Sequence, residues 1–94
     1  MRNGAPAVFS IDVSGARTCA ELEALVKGPL GCTYGWGWYG LAWHLDECPL
    51  PMTINLVGLE ALRPRFPLAV GLLLIALREA QERRSQQGFV VNVV

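Results

Sequence analysis

The sequence predicts an α/β domain in which a small three-stranded parallel sheet is covered by about four helices. Three short β-branched or aromatic runs, at residues 8–13, 52–57 and 89–94, are separated by longer stretches with helical spacing of apolar residues. Strands that alternate with helices pair in parallel through right-handed crossovers. The chain has 94 residues, 52% hydrophobic and 17% charged, enough for one buried core and too few for two. Residues 1–94 are therefore read as a single domain.

The first strand is Val8-Phe9-Ser10-Ile11-Asp12-Val13, closed by the turn residues Ser14-Gly15. Thr18 follows as a helix N-cap, with Glu21 as its capping-box partner, and Leu22, Leu25 and Val26 recur at helical spacing until Gly28-Pro29 ends the helix. A segment with four glycines, Gly31 to Gly40, leads into a short helix over about Trp38 to Asp46, stopped by Pro49 and Pro51. The second strand is Met52 to Val57, ended by Gly58. A turn at Leu59 to Arg63 with helical character precedes Pro64 and Pro67, and Pro67 suits the first position of a long helix reaching about Arg84. Leu68, Leu72 and Ile75, together with Leu73, Ala76, Leu77 and Ala80, give that helix a wide apolar face, which predicts deep packing. Glu79 and Arg83 stand four apart in the favourable order for an ion pair. Gly88 releases the chain into Phe89 to Val94, whose continuous apolar character predicts a strand covered on both faces.

Eight basic and eight acidic side chains cancel, so no net field draws the chain to nucleic acid or anionic lipid, and neither is expected as a direct partner. Met1 to Pro6 lack the apolar run of roughly 7 to 15 residues of a secretory signal. The uncharged run Phe66 to Leu77 falls short of the about 20 residues a bilayer needs and reads as a buried helix. Cys19, Cys32 and Cys48 are an odd set without close pairing, the pattern of reduced thiols. A cytoplasmic location is expected. Cys32, His44 and Cys48 match no strong zinc spacing, and no acidic orienter or oxyanion loop accompanies them. No metal, no cofactor and no enzymatic activity are expected, with His44 as a structural side chain and Arg63-Pro64-Arg65 as a solvated knuckle.

Ile11-Asp12-Val13-Ser14-Gly15 ahead of a helix, Tyr34-Gly35 leading to Trp38 and Leu41, Pro51 to Val57, Leu77-Arg78-Glu79-Ala80 and a hydrophobic final strand occur in an order that resembles the barstar family over nearly the whole chain. The resemblance implies a barstar-like domain that binds a toxic ribonuclease in the same cytoplasm and blocks its active site with a helix and the loop before it. In that family the helix motif reads roughly Tyr-Gly-x-Asn-Trp/Leu-Asp-x-Leu-Trp-Asp, and its two aspartates fill the basic phosphate pocket of the nuclease. Here Tyr34, Gly35, Trp38 and Leu41 match, whereas Gly37 replaces the asparagine, Tyr39 the first aspartate, Ala42 the tryptophan and Trp43 the second aspartate. Losing two carboxylates from a desolvated, basic pocket costs on the order of several kcal/mol, so the family's ancestral partner is not the one expected here.

The replacements define the candidate surface, Thr33 to Trp43. Tyr39 and Trp43 are four apart on one helical face, Asp46 or Glu47 continue it, and Trp36 enters from the loop. Trp38, Leu41, Ala42 and Leu45 form the opposite, core-facing stripe. Tyr and Trp are enriched at binding hot spots, and Gly35, Gly37 and Gly40 permit a sharp turn or close approach, although Gly40 within a helix costs about 1 kcal/mol relative to alanine. Against this stands a packing role, in which Tyr39 or Trp43 lies under a neighbouring loop. The partner-binding set is thus Tyr34, Gly35, Trp36, Tyr39, Trp43, Asp46, Glu47 and Glu79, directed at a protein toxin, a ribonuclease or other nuclease. The free chain is expected to be a monomer. The alternative is a self-associating or non-nuclease interaction module that uses the same aromatic face.

Overall fold

A computed structural model describes residues 7–35 and 37–94. The sheet contains β1 (Ala7–Asp12), β2 (Met52–Val57) and β3 (Phe89–Val93). They lie in the order β1-β2-β3, all parallel, with Phe9 opposite Ile54 and Ile54 opposite Val91. Helices α1 (Cys19–Leu30) and α2 (Gly37–Glu47) occupy the first crossover, and α3 (Pro67–Arg84) the second. The α/β class and the three-stranded parallel sheet agree with expectation. Among the described residues the helix count is three: the segment after β2 makes only a 3-10 turn, Glu60–Leu62, and a second such turn, Ser85–Gln87, follows α3.

Both crossovers step in the same direction across the sheet, so right-handed connections place the helices on one face. The burial pattern has that period. Ile11, Met52, Ile54, Leu56 and Phe89 are buried beneath the helices, with Phe9 and Val91 packed against them. The other face carries Val8, Thr53 and Val90 in one row and Ser10, Asn55 and Asn92 in the next. Asn55 donates to Ser10 Oγ, and Asn92 donates to Asn55 Oδ1 at 2.8 Å. Val8 and Val90 are exposed, so the expectation that β3 is covered on both faces is wrong. Its apolar run combines the buried Phe89 and the half-buried Val91 on the helix-covered face with Val90 on the open face, where β-branching suits the strand without any cover.

Thr18 caps α1 as expected, its Oγ1 accepting the Glu21 N–H at 3.1 Å, but the Glu21 carboxylate reaches one residue further back and accepts from Arg17 N–H. The helix does not stop at Gly28-Pro29. It runs to Leu30, which completes the buried stripe Leu22, Val26, Leu30, and ends at Gly31 in the left-handed conformation (φ 72°). Leu25 is off that stripe and exposed.

α3 shows the largest departure. Val70, Leu73, Ala76, Leu77 and Ala80 form the buried side, whereas Leu68, Leu72 and Ile75 face outward. Deep packing of the whole apolar surface is thus overturned: the helix lies on one side of a thin sheet and presents only one stripe to it. The Glu79–Arg83 pair is also absent, because Arg83 turns to Asp46 of α2, with guanidinium contacts of 2.8 and 3.1 Å.

Arg84 secures the far end of α2. Its Nη1 donates to the carbonyls of Leu45 at 2.6 Å and Cys48 at 3.0 Å, two of the acceptors that a helix end leaves unsatisfied. Burial pushes the adjacent Cys48 thiol up, only partly opposed by the Arg84 charge. Arg84→Ala removes hydrogen bonds from a charged donor and is expected to cost about 2 kcal/mol, lowering the thermal midpoint by on the order of 10 °C in circular dichroism melts.

Candidate functional site

α2 divides into the two faces expected of it, except that Ala42, expected toward the core, is half-buried beside Tyr39 at the surface facing α3. Leu41 and Leu45 are fully buried and Trp38 packs against the core, while Tyr39 is 84% and Trp43 56% exposed. The packing role for Tyr39 or Trp43 thus gives way to exposure for both rings. Neighbouring α3 turns Leu72 and Ile75 outward beside Tyr39, and the two helices enclose a shallow groove between them.

The loop before α2 is fixed by contacts made far from it in sequence. Lys27 is buried in α1, and its ammonium donates to Glu23 Oε2 at 2.6 Å and to the Tyr34 carbonyl at 3.1 Å. The ion pair satisfies the charge that burial would otherwise make costly, and the second bond ties the loop to α1. Cys32 is buried with its thiol directed to the Gly40 carbonyl, and His44 Nε2 lies 3.0 Å from the Leu30 carbonyl. These are structural contacts for both side chains. Among the described residues no three His, Cys, Asp or Glu side chains gather where one metal ion could be held.

Gly40 is where loop and helix meet. A Cβ on it would lie 2.0 Å from the Gly35 carbonyl oxygen and 2.9 Å from Tyr34 Cβ. The close backbone approach anticipated for these glycines is therefore internal to the protein. Gly37 opens α2 with φ 56°, a conformation that disfavours other residues.

Glu47 links the aromatic side chains. One carboxylate oxygen accepts from Tyr34 Oη at 2.6 Å, the other from Trp43 Nε1 at 3.0 Å, and the two rings lie 6.4 Å apart at a tilt of 52°. Glu47 thereby positions Tyr34 and Trp43. Asp46 is likewise committed, to Arg83. Neither acid is a free replacement for the carboxylates that the resemblance implies, whereas Glu79 stands exposed on α3 at the edge of the groove. Of the remaining candidates, Gly35 is exposed next to Tyr34 and Trp36 lies outside the described residues. Arg63 pairs with Glu60 at 2.9 Å, as a solvated knuckle would, and Arg65 lies over the Phe66 ring. The outward-facing Leu72 and Ile75 were missed by sequence reasoning, because their hydrophobicity equals that of the buried leucines beside them.

Glu47 accepting its hydroxyl, with a smaller contribution from burial, holds the Tyr34 phenol above its ordinary pKa of 10.0. A raised folded-state value means that the contact contributes fully below the unfolded-state pKa and is lost as pH rises through the folded one. Tyr34 and Tyr39 are the two tyrosines of the chain, so Tyr39→Phe leaves Tyr34 as the sole phenol. Its tyrosinate absorbance is expected to titrate above the ordinary value, and adding Glu47→Gln should bring the midpoint back toward it.

Among the described residues no helix is long and apolar enough to cross a membrane. A scan against models of known protein families and a search of curated proteins found no match to this chain.

Proposed function

We propose that this chain is a barstar-like inhibitor that binds a toxin nuclease in the cytoplasm and covers its active site with α2 and the loop before it. The observation that carries the reading is the paired exposure of Tyr39 and Trp43 on one face of α2, with Trp43 and Tyr34 held in place by Glu47. Large aromatic side chains left in water, one of them buttressed by hydrogen bonds, are the composition of a binding hot spot whose ordering cost is partly met before association. The order and spacing of the segments that resemble the barstar family, and the parallel three-stranded framework beneath them, support the same reading.

In this reading the chain performs no chemistry of its own. Inhibition comes from excluding substrate, and the contact is aromatic and apolar where the family's is acidic. Its partner site therefore offers pockets for rings in place of a bare phosphate-binding cluster.

The test is direct inhibition. The purified chain is titrated into the product of the reading frame beside its own, and that product's cleavage of a fluorogenic RNA or DNA substrate is followed. A stoichiometric, one-to-one loss of cleavage is expected. Undiminished cleavage at a large excess of the chain refutes the proposal.

A further inference from the structure

β1 and β3 are the two edges of the sheet, and they are finished differently. On β3 the Val91 N–H, which points away from β2, donates to Gln81 Oε1 of α3, so the helix closes that edge. On β1 the bonds from Ala7 N–H to the Pro51 carbonyl and from Val13 N–H to the Val57 carbonyl, with the register between them, turn the odd-numbered residues toward β2. The N–H and C=O groups of Val8, Ser10 and Asp12 therefore point outward, and none of them has a hydrogen-bond partner among the described residues.

Among the described residues nothing guards this edge in the ways that exposed strands are usually guarded. β1 contains no proline and pairs with β2 one for one, without a bulge. Its single charge, Asp12, stands at the end of the strand and is turned back onto Ser14, accepting from that residue's N–H at 2.9 Å and from its Oγ at 2.7 Å. Apolar surface flanks the edge on both sides. Val8 is 59% exposed on the uncovered face of the sheet, and on the helix-covered face Phe9 is only partly buried. Leu25 of α1, 38% exposed, walls a shallow groove with Asp12 at the end of the same strand.

We infer that β1 pairs with β1 of a second copy of this chain, about a two-fold axis perpendicular to the sheet at Ser10. The strands then run antiparallel, Ser10 faces Ser10 of the second copy, and Val8 of each copy faces Asp12 of the other. Every outward N–H and C=O is used, since each facing pair exchanges both of its bonds. Phe9 of each copy meets Ile11 of the other on the helix-covered face, an aromatic against a β-branched side chain, which is a stabilising cross-strand pair. Because Asp12 faces Val8, the two Asp12 residues stand about 13 Å apart along the pair, beyond the roughly 8 Å over which charges stay coupled at physiological salt. Sliding the register one way brings these carboxylates together, and sliding it the other way carries Asp12 past the start of the facing strand. The strand is thus complementary to itself in one register, which selects a second copy over a foreign strand. The axis keeps all helices on one face of a sheet that grows from three strands to six. α1 rests on β1 while α2 packs beside α3, so the aromatic face of each copy stays clear of the shared edge. The free chain is then a dimer rather than the monomer its sequence suggests, and it carries two α2 faces.

The test uses the full chain. Sedimentation equilibrium of the parent is expected to show a monomer–dimer equilibrium at micromolar concentration, and amide exchange at Val8, Ser10 and Asp12 should slow as the concentration rises. Ser10→Lys and Ser10→Glu each set like charges opposite one another on the axis and should weaken the dimer about tenfold or more. Ser10 is exposed, so the circular dichroism of both variants should be unchanged. Mixed in equal amounts, the two should form a heterodimer at least as tight as the parent's dimer. The inference is overturned if the parent stays monomeric at millimolar concentration, if its dimer leaves the β1 amides unprotected, if the dimer persists undiminished in both variants, or if mixing them restores nothing. β1 amides that gain protection only when the proposed nuclease target is added assign the edge to a strand of that partner and likewise overturn it. The exchange measurement on the parent needs no variant and stands even where a substitution unfolds the chain. Nuclease inhibition is judged separately by cleavage, since the α2 face takes no part in this contact.

Discussion

Replacing both Tyr39 and Trp43 by alanine is expected to weaken binding to the proposed nuclease target by at least ~10³-fold while leaving the protein folded. Each truncation of a central aromatic anchor costs about 2 to 4 kcal/mol, and every 1.4 kcal/mol is tenfold in the dissociation constant. The fold loses little, because Tyr39 is almost wholly in water and contributes no ring to the core. Trp43 costs somewhat more, since its removal leaves Glu47 with Tyr34 only and deletes the tilted ring contact. A shift of a few degrees in the thermal midpoint is expected, against a change in affinity that titration calorimetry would register as loss of detectable heat. Asp46→Ala supplies the contrast. Its carboxylate is held by Arg83 at the surface, so its removal should change affinity by less than about threefold. If Asp46→Ala proved as damaging as the aromatic pair, the interface would be acidic after all.

The framework was legible because each of its elements has a local cause. Thr18 ahead of an apolar periodic run, Pro67 at the start of a helix and the alternation of Met52 to Val57 state their conformations within a few residues. The two-faced character of α2 was legible for the same reason, since Leu41 and Leu45 against Tyr39 and Trp43 is a contrast within one helix. What failed depended on how much surface the rest of the fold covers. Leu72 and Leu73 are chemically identical, and only the position of α3 over a three-stranded sheet decides which is buried. Val90 fails likewise: β-branching announces a strand but not whether anything lies above it. The commitments of the charged groups were equally hidden. Arg83 had a partner one turn away and took another from α2, because the helices bring Asp46 within 2.8 Å of its guanidinium. Lys27 bonding the Tyr34 carbonyl has no signature in the sequence at all.

Two glycine-to-alanine substitutions, both inside helices, are expected to act in opposite directions. Gly71 lies within α3 with no heavy atom within 4 Å of an added Cβ, so Gly71→Ala should stabilise the protein by about 0.5 to 1 kcal/mol through helix propensity and a less flexible unfolded chain. Gly40→Ala receives the same intrinsic benefit and loses it to the loop. Its Cβ would stand 2.0 Å from the Gly35 carbonyl oxygen, a backbone atom that no rotamer change can move aside. Either α2 tilts away or the Tyr34-Gly35 segment shifts, and Lys27 holds that segment from the other side. Overpacking of this kind costs about 1 to 3 kcal/mol, which exceeds the propensity gain. The consequence reaches the proposed binding surface, because a displaced loop separates the Tyr34 hydroxyl from Glu47 and the Tyr34 ring from Trp43. Gly40→Ala should therefore lower both the urea midpoint and the affinity for the proposed nuclease target, and return the Tyr34 titration toward its ordinary value, whereas Gly71→Ala should raise the midpoint and alter neither of the others. Equal effects of the two substitutions would show that the loop does not rest on Gly40, and with it that Tyr34 and Trp43 are not preorganised by this packing.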